Sequence, residues 1–224
     1  MKKVLVIAAH PDDEVLGVGG TIIKLVEKDY EIYTYILTDG SSTQYYGDTK
    51  KLNQKKEETF KANDILGVKE VIFGNLPDMK LDTISHVKIN NEIEKITNKI
   101  EPEIIFTHHS GDVNKDHKLI FESTLVVCRP LPGNNIKKIY SYEVPSSTEW
   151  GDNKTKDYFI PNIYVTLNKK QINKKCLAME KYKTELRDYP HPRSLKSIIN
   201  CSQHRGNQVG YDYAESFILI RELS

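Results

Sequence analysis

Short apolar runs alternate with longer amphipathic stretches along the first half of this 224-residue chain. The runs are rich in β-branched residues and have the length of buried strands. The stretches between them place apolar residues at helical spacing, most clearly at Ile89, Ile93, Ile96 and Ile100. Strands that alternate with helices in this way predict βαβ units and a parallel sheet. The four predicted strands are residues 4–9, 31–38, 70–75 and 103–109.

The second half of the chain shows a looser pattern. Residues 117–128 are predicted as a helix, 136–144 and 162–167 as strands, 169–186 as a long helix, and 214–223 as a strand or short helix. No internal repeat and no low-complexity linker interrupts the sequence. We therefore expect one α/β domain over residues 1–224, Rossmann-like, with a mostly parallel sheet flanked by helices. The C-terminal third, residues 140–224, is expected to cover the site or one edge of the sheet.

Composition and charge narrow the classes of partner. The net charge is +1 and the lysines are spread among acids, so neither a nucleic-acid nor a membrane partner is expected. The apolar run at residues 4–9 imitates a signal peptide but is shorter than the usual core of about 7–15 residues. Cys128, Cys176 and Cys201 are far apart and form no C-x-x-C pair, which argues against a disulfide framework and a cysteine-type zinc site. We expect a cytoplasmic protein.

Two clusters of metal-competent residues follow predicted strands. One is HPDDE at residues 10–14, after the first strand, and the other is HHSGDVNKDH at residues 108–117, after the fourth. Ligands of open parallel sheets bind beyond the carboxyl ends of the strands, so both clusters are expected at one edge. Two histidines and a carboxylate that converge there would make a zinc site with one open position, which is the arrangement of a catalytic site.

Each of these residues also has a structural interpretation when taken alone. Asp13 or His117 could cap a helix or lie in a solvated loop, and Asp112 could be a turn residue. Glu14 would favour the dipole of the helix that follows it, and His108 could be a hydrogen-bonded core residue. The joint pattern, rather than any single residue, favours the metal site.

A glycine-rich stretch, GVGG at residues 17–20, offers a dinucleotide-binding loop as a rival. The G-x-G-x-x-G pattern would require glycine where Ile22 stands, and the glycines fall inside the predicted helix. Three acids at residues 12–14 would also repel a pyrophosphate at the start of that helix. The glycines are better interpreted as positions that let the helix pack close to the sheet.

The same motifs carry a family resemblance. AHPDDE at residues 9–14 and DVNKDH at residues 112–117 resemble the two metal motifs of PIG-L/LmbE-type zinc-dependent N-deacetylases. Further segments similar to that family, such as NLPD, HPRS and YAESF, follow in the same order over nearly the whole chain. The resemblance implies that His10, Asp13 and His117 hold zinc and that Asp12 is the general base for a metal-bound water, with acetate and a free amine as products.

Two positions depart from the family pattern. Several members carry a histidine, thought to hold the oxyanion, where this chain has Asn114, and Asp116 would then support Asn114 or His117 instead of such a histidine. Lys55 stands where the family tends to carry arginine, which removes a bidentate fork for substrate. The remaining candidates for substrate contact are Asp78, His191 and Arg193, although the last two could be surface residues of a rigid proline-flanked turn.

The function expected from this resemblance is removal of an N-acetyl group from an amino sugar or a sugar conjugate. Two alternatives stay open: cleavage of a different acylamine or thiol-conjugate amide, and a non-catalytic sugar-binding module that retains metal. Zn²⁺ is the expected cofactor, and Fe²⁺ or another divalent metal also suits two histidines and a carboxylate. A homo-oligomer is a further expectation, because members of the family often assemble.

Overall fold

A seven-stranded sheet forms the centre of the computed structural model, which describes residues 1–40, 43, 48–151 and 158–224. The strand order is β3-β2-β1-β4-β5-β7-β6, and β7 runs antiparallel to both of its neighbours while the other pairs are parallel. The predicted mostly parallel sheet is therefore confirmed. The strands are β1 Lys3–Ala8, β2 Glu31–Thr38, β3 Glu70–Leu76, β4 Ile104–Thr107, β5 Lys138–Tyr142, β6 Ile163–Leu167 and β7 Tyr213–Glu222.

Helices cover both faces of the sheet. The core on one face includes residues of α1, α2 and α5, and the core on the other includes residues of α3 and α4. Along β1, Val4 and Val6 belong to the first core, and Leu5 and Ile7 belong to the second. Because the strand is buried on both faces, it has no polar face, which explains its unbroken apolar run. The helices are α1 Asp13–Val26, α2 Thr49–Leu66, α3 His86–Ile100, α4 Lys115–Val127, α5 Lys169–Met179 and α6 Leu195–Asn207.

The glycines of α1 allow the helix to approach the sheet, as predicted. A Cβ atom on Gly17 would lie 2.3 Å from the Tyr142 ring on β5, and one on Gly20 would lie 2.3 Å from Leu167 on β6. Both glycines lie inside α1, which begins at Asp13, and not in the turn between β1 and α1. The stretch is therefore a packing surface and does not form a dinucleotide-binding loop.

The C-terminal third differs from the sequence-based prediction in two elements. The predicted helix over residues 169–186 is wrong in its last turns, because α5 ends at Met179 and the chain then turns. Tyr182 is fully buried beyond that end, where its hydroxyl donates to the Glu14 carboxylate. Helix α6 was not predicted, since its stretch LKSIINCSQHRGN is mostly polar and buries few side chains. Within the described residues, no helix combines the length and apolarity needed to cross a bilayer.

Candidate functional site

The two sequence motifs meet at the carboxyl ends of β1 and β4, which are neighbours in the sheet. His10 Nδ1 lies 3.4 Å from Asp13 Oδ2 and 3.3 Å from His117 Nε2, and the latter two atoms are 3.4 Å apart. These three atoms form a nearly equilateral triangle. Ligand atoms about 2.0–2.1 Å from a tetrahedral zinc ion lie about 3.3–3.4 Å from one another, so the triangle fits one face of such a tetrahedron. The residues present can hold a divalent metal with at least one position open.

Carboxylates stand behind both histidines of this triangle. His117 Nδ1 lies 3.1 Å from Asp112 Oδ2, and His10 Nε2 lies 3.2 Å from Asp116 and 3.3 Å from Asp78. A carboxylate at the second ring nitrogen fixes the tautomer and the orientation of a metal-binding histidine. Asp112 is therefore more than a turn residue. The Asp116 side chain contacts His10 and accepts the backbone N–H of Leu81, while its own backbone N–H donates to Asn114 Oδ1 at 2.9 Å.

Burial and neighbouring charges shift the pKa values of the residues in the triangle. Burial lowers the pKa of His117, but Asp13 and Asp112 outweigh it and raise the pKa to about 9. Burial raises the pKa of Asp13, but His117 and His108 outweigh it and hold the pKa well below its usual range. The carboxylate of Asp13 is therefore ionised. Its negative charge would attract a divalent cation to the triangle.

Asp12, in the turn between β1 and α1, has an unusual backbone conformation. Asp12 has φ 113°, in the left-handed region that non-glycine residues rarely adopt, at a cost on the order of 1–3 kcal/mol. Its N–H donates to Glu14 Oε2 at 3.2 Å, and Glu14 is held by Asn63 and Tyr182. Glu14 therefore supports this turn in addition to lying in the first turn of α1. Burial raises the pKa of Glu14 to about 7.

The Asp12 carboxylate forms an ion pair with Arg193. Arg193 NH1 lies 3.2 Å from Asp12 Oδ2. Burial, followed by the charge of Glu185, raises the pKa of Asp12 well above its usual range, and the Arg193 guanidinium opposes that rise. A buried carboxyl group with a raised pKa beside an open pocket is suited to accept and return a proton.

His108 lies outside the triangle and has a structural role. It is fully buried, its ring stacks on that of His117 at 3.8 Å between centroids, and its Nε2 accepts the N–H of Ala9 at 2.8 Å. Burial, then the neighbouring His117, lowers the pKa of His108 well below the usual value. The neutral ring therefore packs behind His117 and fixes the end of β1.

An open pocket of about 220 Å³ lies over the triangle. Lys55, Asp78 and Arg193, all predicted substrate contacts, line it, whereas His191 is not among the lining residues. His191 instead accepts the N–H of Arg193 at 3.1 Å, and its ring packs edge-on against Trp150. The other residues that line the pocket are His10, Pro11, Asp12, Asp13, Leu16, Gly40, Met79, Asn114, His117, Val144, Ser146, Ser147 and Glu185.

Asn114 lines the pocket but is also the N-cap of α4. Its Oδ1 accepts the N–H of Asp116 at 2.9 Å, and its Nδ2 lies 3.3 Å from Met79 Sδ. The side-chain carbonyl oxygen of Asn114 is therefore occupied by the cap hydrogen bond of α4. The amino group is the part of this side chain that can serve as a donor to a bound molecule.

Glu185 is a pocket residue that the sequence did not reveal. Its carboxylate lies 2.8 Å from Lys55 Nζ and 2.9 Å from Arg193 NH1. It falls in the stretch predicted as the end of a helix, and no motif or spacing relates it to Lys55 or Arg193. The pairing depends on a turn after α5 that residue spacing does not predict.

Comparison with known proteins places the chain in a family. The sequence profile of the PIG-L family, described as GlcNAc-PI de-N-acetylase, matches residues 5–128, which include both metal motifs. The chain belongs to the PIG-L family. A PIG-L relative in Escherichia coli K12, named as the uncharacterized deacetylase YaiS, is 28% identical over 191 residues, 82% of this chain and 91% of the relative. The chain is accordingly a hydrolase of the deacetylase type.

Solved structures share the fold of this PIG-L chain. The N,N'-diacetylchitobiose deacetylase from Pyrococcus horikoshii, solved with an inhibitor, gives a TM-score of 0.79 at 22% identity, over 98% of this chain and 84% of that one. GalB from Pseudomonas putida KT2440, a 4-carboxy-2-hydroxymuconate hydratase, gives 0.78 at 20% identity, over 100% and 98%. Because two different reactions occur on one fold, the residues of the site must decide the chemistry of this chain.

Proposed function

We propose that this PIG-L protein is a divalent-metal-dependent hydrolase, with zinc as the expected metal, that removes the N-acetyl group of an amino sugar or sugar conjugate. The observation that carries the proposal is the triangle of His10, Asp13 and His117 beneath an open pocket, with the Asp12 carboxylate on its rim. Family membership supports the reaction type, and the chitobiose deacetylase among the structural neighbours supports a sugar substrate.

The three residues of the triangle would hold the metal through two imidazole nitrogens and one carboxylate oxygen. A divalent metal bound there would polarise the acyl carbonyl and lower the pKa of a water to about 7. Asp112 and Asp116 lie at the second ring nitrogens of His117 and His10, where they would orient the two imidazoles and favour the tautomers that bind a metal through the other nitrogen. This arrangement orients the ligands before the metal binds, which reduces the cost of assembling the site.

Asp12 would carry the proton through the reaction. It takes a proton from the attacking water as the oxygen of that water bonds to the acyl carbon, and it returns the proton to the nitrogen as the C–N bond breaks. Acetate and a free amine leave. Asp12 is the N-cap of α1 and Asp13 is its first residue. One carboxylate can therefore bind the metal while its neighbour faces the pocket.

Asn114 would contact the acyl group of the substrate, and three charged residues would bind its sugar. The Nδ2 group of Asn114 donates a hydrogen bond towards the reacting carbonyl but cannot deliver a proton, so Asp12 has both the base and the acid role. Asp78, Lys55 and Arg193 lie on the pocket wall and offer charged partners to sugar hydroxyls.

The decisive experiment measures acetate release from N-acetylglucosamine, N,N'-diacetylchitobiose and N-acetylglucosaminyl conjugates, using chelator-stripped protein reloaded with Zn²⁺, Fe²⁺ or Co²⁺. We expect metal-dependent release, a loss of at least about 100-fold in kcat for Asp12→Asn with metal content retained, and loss of bound metal in His117→Ala. N-propionyl and other N-acyl amines form a second arm of the panel. Absence of hydrolysis in both arms, or full activity in Asp12→Asn, would overturn the proposal.

A further inference from the structure

A chain of alternating charges runs along one wall of the pocket. Lys55 of α2 contacts Glu185, Glu185 contacts Arg193, and Arg193 contacts Asp12, at 2.8, 2.9 and 3.2 Å. Lys55 and Glu185 are each less than a tenth exposed, and so is Asp12. The chain of charges joins three separate parts of the fold: α2, the turn after α5, and the turn between β1 and α1.

We propose that Glu185 is a positioning residue of the site, which holds the Arg193 guanidinium at the edge of the Asp12 carboxylate. The inference rests on the function proposed above for Asp12. It adds a residue that neither metal motif contains, and it gives Arg193 a role beside the reacting atoms instead of one in substrate contact alone.

Glu185 is itself held firmly, as a positioning residue must be. Lys55 Nζ donates to the carbonyl of Gly40 at 2.6 Å as well as pairing with Glu185. The preceding residue, Thr184, donates its hydroxyl to Glu58 on α2 at 2.7 Å. The turn that carries Glu185 is thereby fixed to α2 through two neighbouring residues, Thr184 and Glu185.

Arg193, in contrast, depends on its two carboxylate partners. Its NH1 group contacts both Glu185 and Asp12, while its Nε is buried without a hydrogen-bond partner in the described part of the chain. An arginine side chain has several rotatable bonds, so it needs an external partner to keep one position. Two positive and two negative charges balance along the chain of contacts. Loss of the Glu185 charge would leave Arg193 with Asp12 as its remaining carboxylate partner and would draw the guanidinium across the oxygens that accept the proton.

The test compares Glu185→Gln with Glu143→Gln in the metal-loaded full chain. Glu143 forms an equivalent pair with Arg205, at 2.8 and 2.6 Å, but does not line the candidate pocket. We expect Glu185→Gln to lower kcat about 10- to 100-fold with little change in KM and no change in metal content. Glu143→Gln should retain wild-type kcat. A double variant with Arg193→Gln should lose little more activity than Arg193→Gln alone, because Glu185 acts through Arg193.

A second readout needs no substrate and so separates this inference from the proposed function. Phenylglyoxal modifies arginines, and each carboxylate that holds a guanidinium slows the reaction, so loss of one of two carboxylate partners raises the rate. Peptide mass spectrometry gives the rate at each residue. Arg193 should react several-fold faster in Glu185→Gln with Arg205 unchanged, and Arg205 should react faster in Glu143→Gln with Arg193 unchanged. An unchanged Arg193 rate in Glu185→Gln would overturn the positioning role. A faster rate together with wild-type kcat would overturn its connection to catalysis, and a wild-type protein inactive on every substrate would overturn the proposed function alone.

Discussion

Asp112 shows how much a single buried carboxylate contributes to the site. It is fully buried, lies 3.1 Å from His117 Nδ1, and accepts hydrogen bonds from the hydroxyls of Ser147 and Thr148. The cluster of hydrogen bonds leaves its carboxylate little freedom to move. Asp112 therefore sets the direction in which His117 presents its other ring nitrogen.

Substitution of Asp112 by asparagine is expected to weaken metal binding about 10- to 100-fold, because the partner that orients His117 loses its charge. Competition with a coloured zinc chelator gives the dissociation constant. Asp82→Asn is the matched control, since Asp82 is an exposed aspartate that pairs with Lys115 at 3.3 Å outside the pocket. Equal affinities for the two variants would show that His117 does not need this carboxylate.

Among the residues of the site, those that belong to a motif with a fixed spacing can be identified from the sequence, and those outside such a motif cannot. His10, Asp13 and His117 follow strand ends, so topology alone brings them to one edge. Glu185 meets Lys55 and Arg193 only because the chain turns after α5, and a tertiary turn of this kind leaves no periodic signal in the sequence. The charged wall of the pocket therefore becomes visible only in three dimensions.

Among the elements, α1 links the packing of the sheet to the position of the site. Its first residue is Asp13, and its second turn lies against β5. The close approach at Gly17 sets the depth of the helix and thus the position of the loop that carries His10 and Asp12. The packing of the helix interior therefore affects the geometry of the residues at its start.

Replacement of Gly17 by alanine is expected to destabilise the protein by about 1–3 kcal/mol, because the new methyl group would overlap the buried Tyr142 ring and approach the carbonyl of Glu143. Urea unfolding followed by circular dichroism measures the change. Gly19→Ala is the control in the same helix: its methyl group would lie 3.2 Å from Lys175 Cγ, a milder approach than the 2.3 Å at Gly17. The loss of stability should therefore be smaller, because up to about 1 kcal/mol of helix propensity offsets the strain. Similar midpoints for the two variants would contradict the close-packing account.

The helices and strands are predicted correctly where the hydrophobic pattern alone determines the secondary structure. The four early strands, and α3 with its isoleucines at one face, are confirmed with shifts of a few residues at their ends. α5 is shorter than its pattern suggests because the residues after Met179 turn back to bury Tyr182 against the site. α6 was not predicted because tertiary contacts with β6 and β7, rather than an apolar pattern in its own sequence, stabilise a mostly polar stretch.

Across the whole molecule, the site concentrates negative charge between elements from both halves of the chain. The carboxylates of Asp13, Asp78, Asp112 and Asp116 all lie close to His10 or His117. Such a cluster favours association with a cation, and a cation that binds the folded state alone stabilises that state. A cation bound to His10, Asp13 and His117 would therefore also join the turn after β1 and the start of α1 to α4.

We expect metal at 100 times its dissociation constant to stabilise the folded protein by about 2.7 kcal/mol, which corresponds to a rise in Tm of roughly 5–11 °C for a chain of this size. Differential scanning calorimetry with and without Zn²⁺ measures the shift. Asp12→Asn should keep the shift, because Asp12 pairs with Arg193 and is not one of the three residues of the triangle. His117→Ala should lose it, because one ligand is removed. A shift of equal size in His117→Ala would place the metal elsewhere, and loss of the shift in Asp12→Asn would show that Asp12 is a ligand and not the proton carrier.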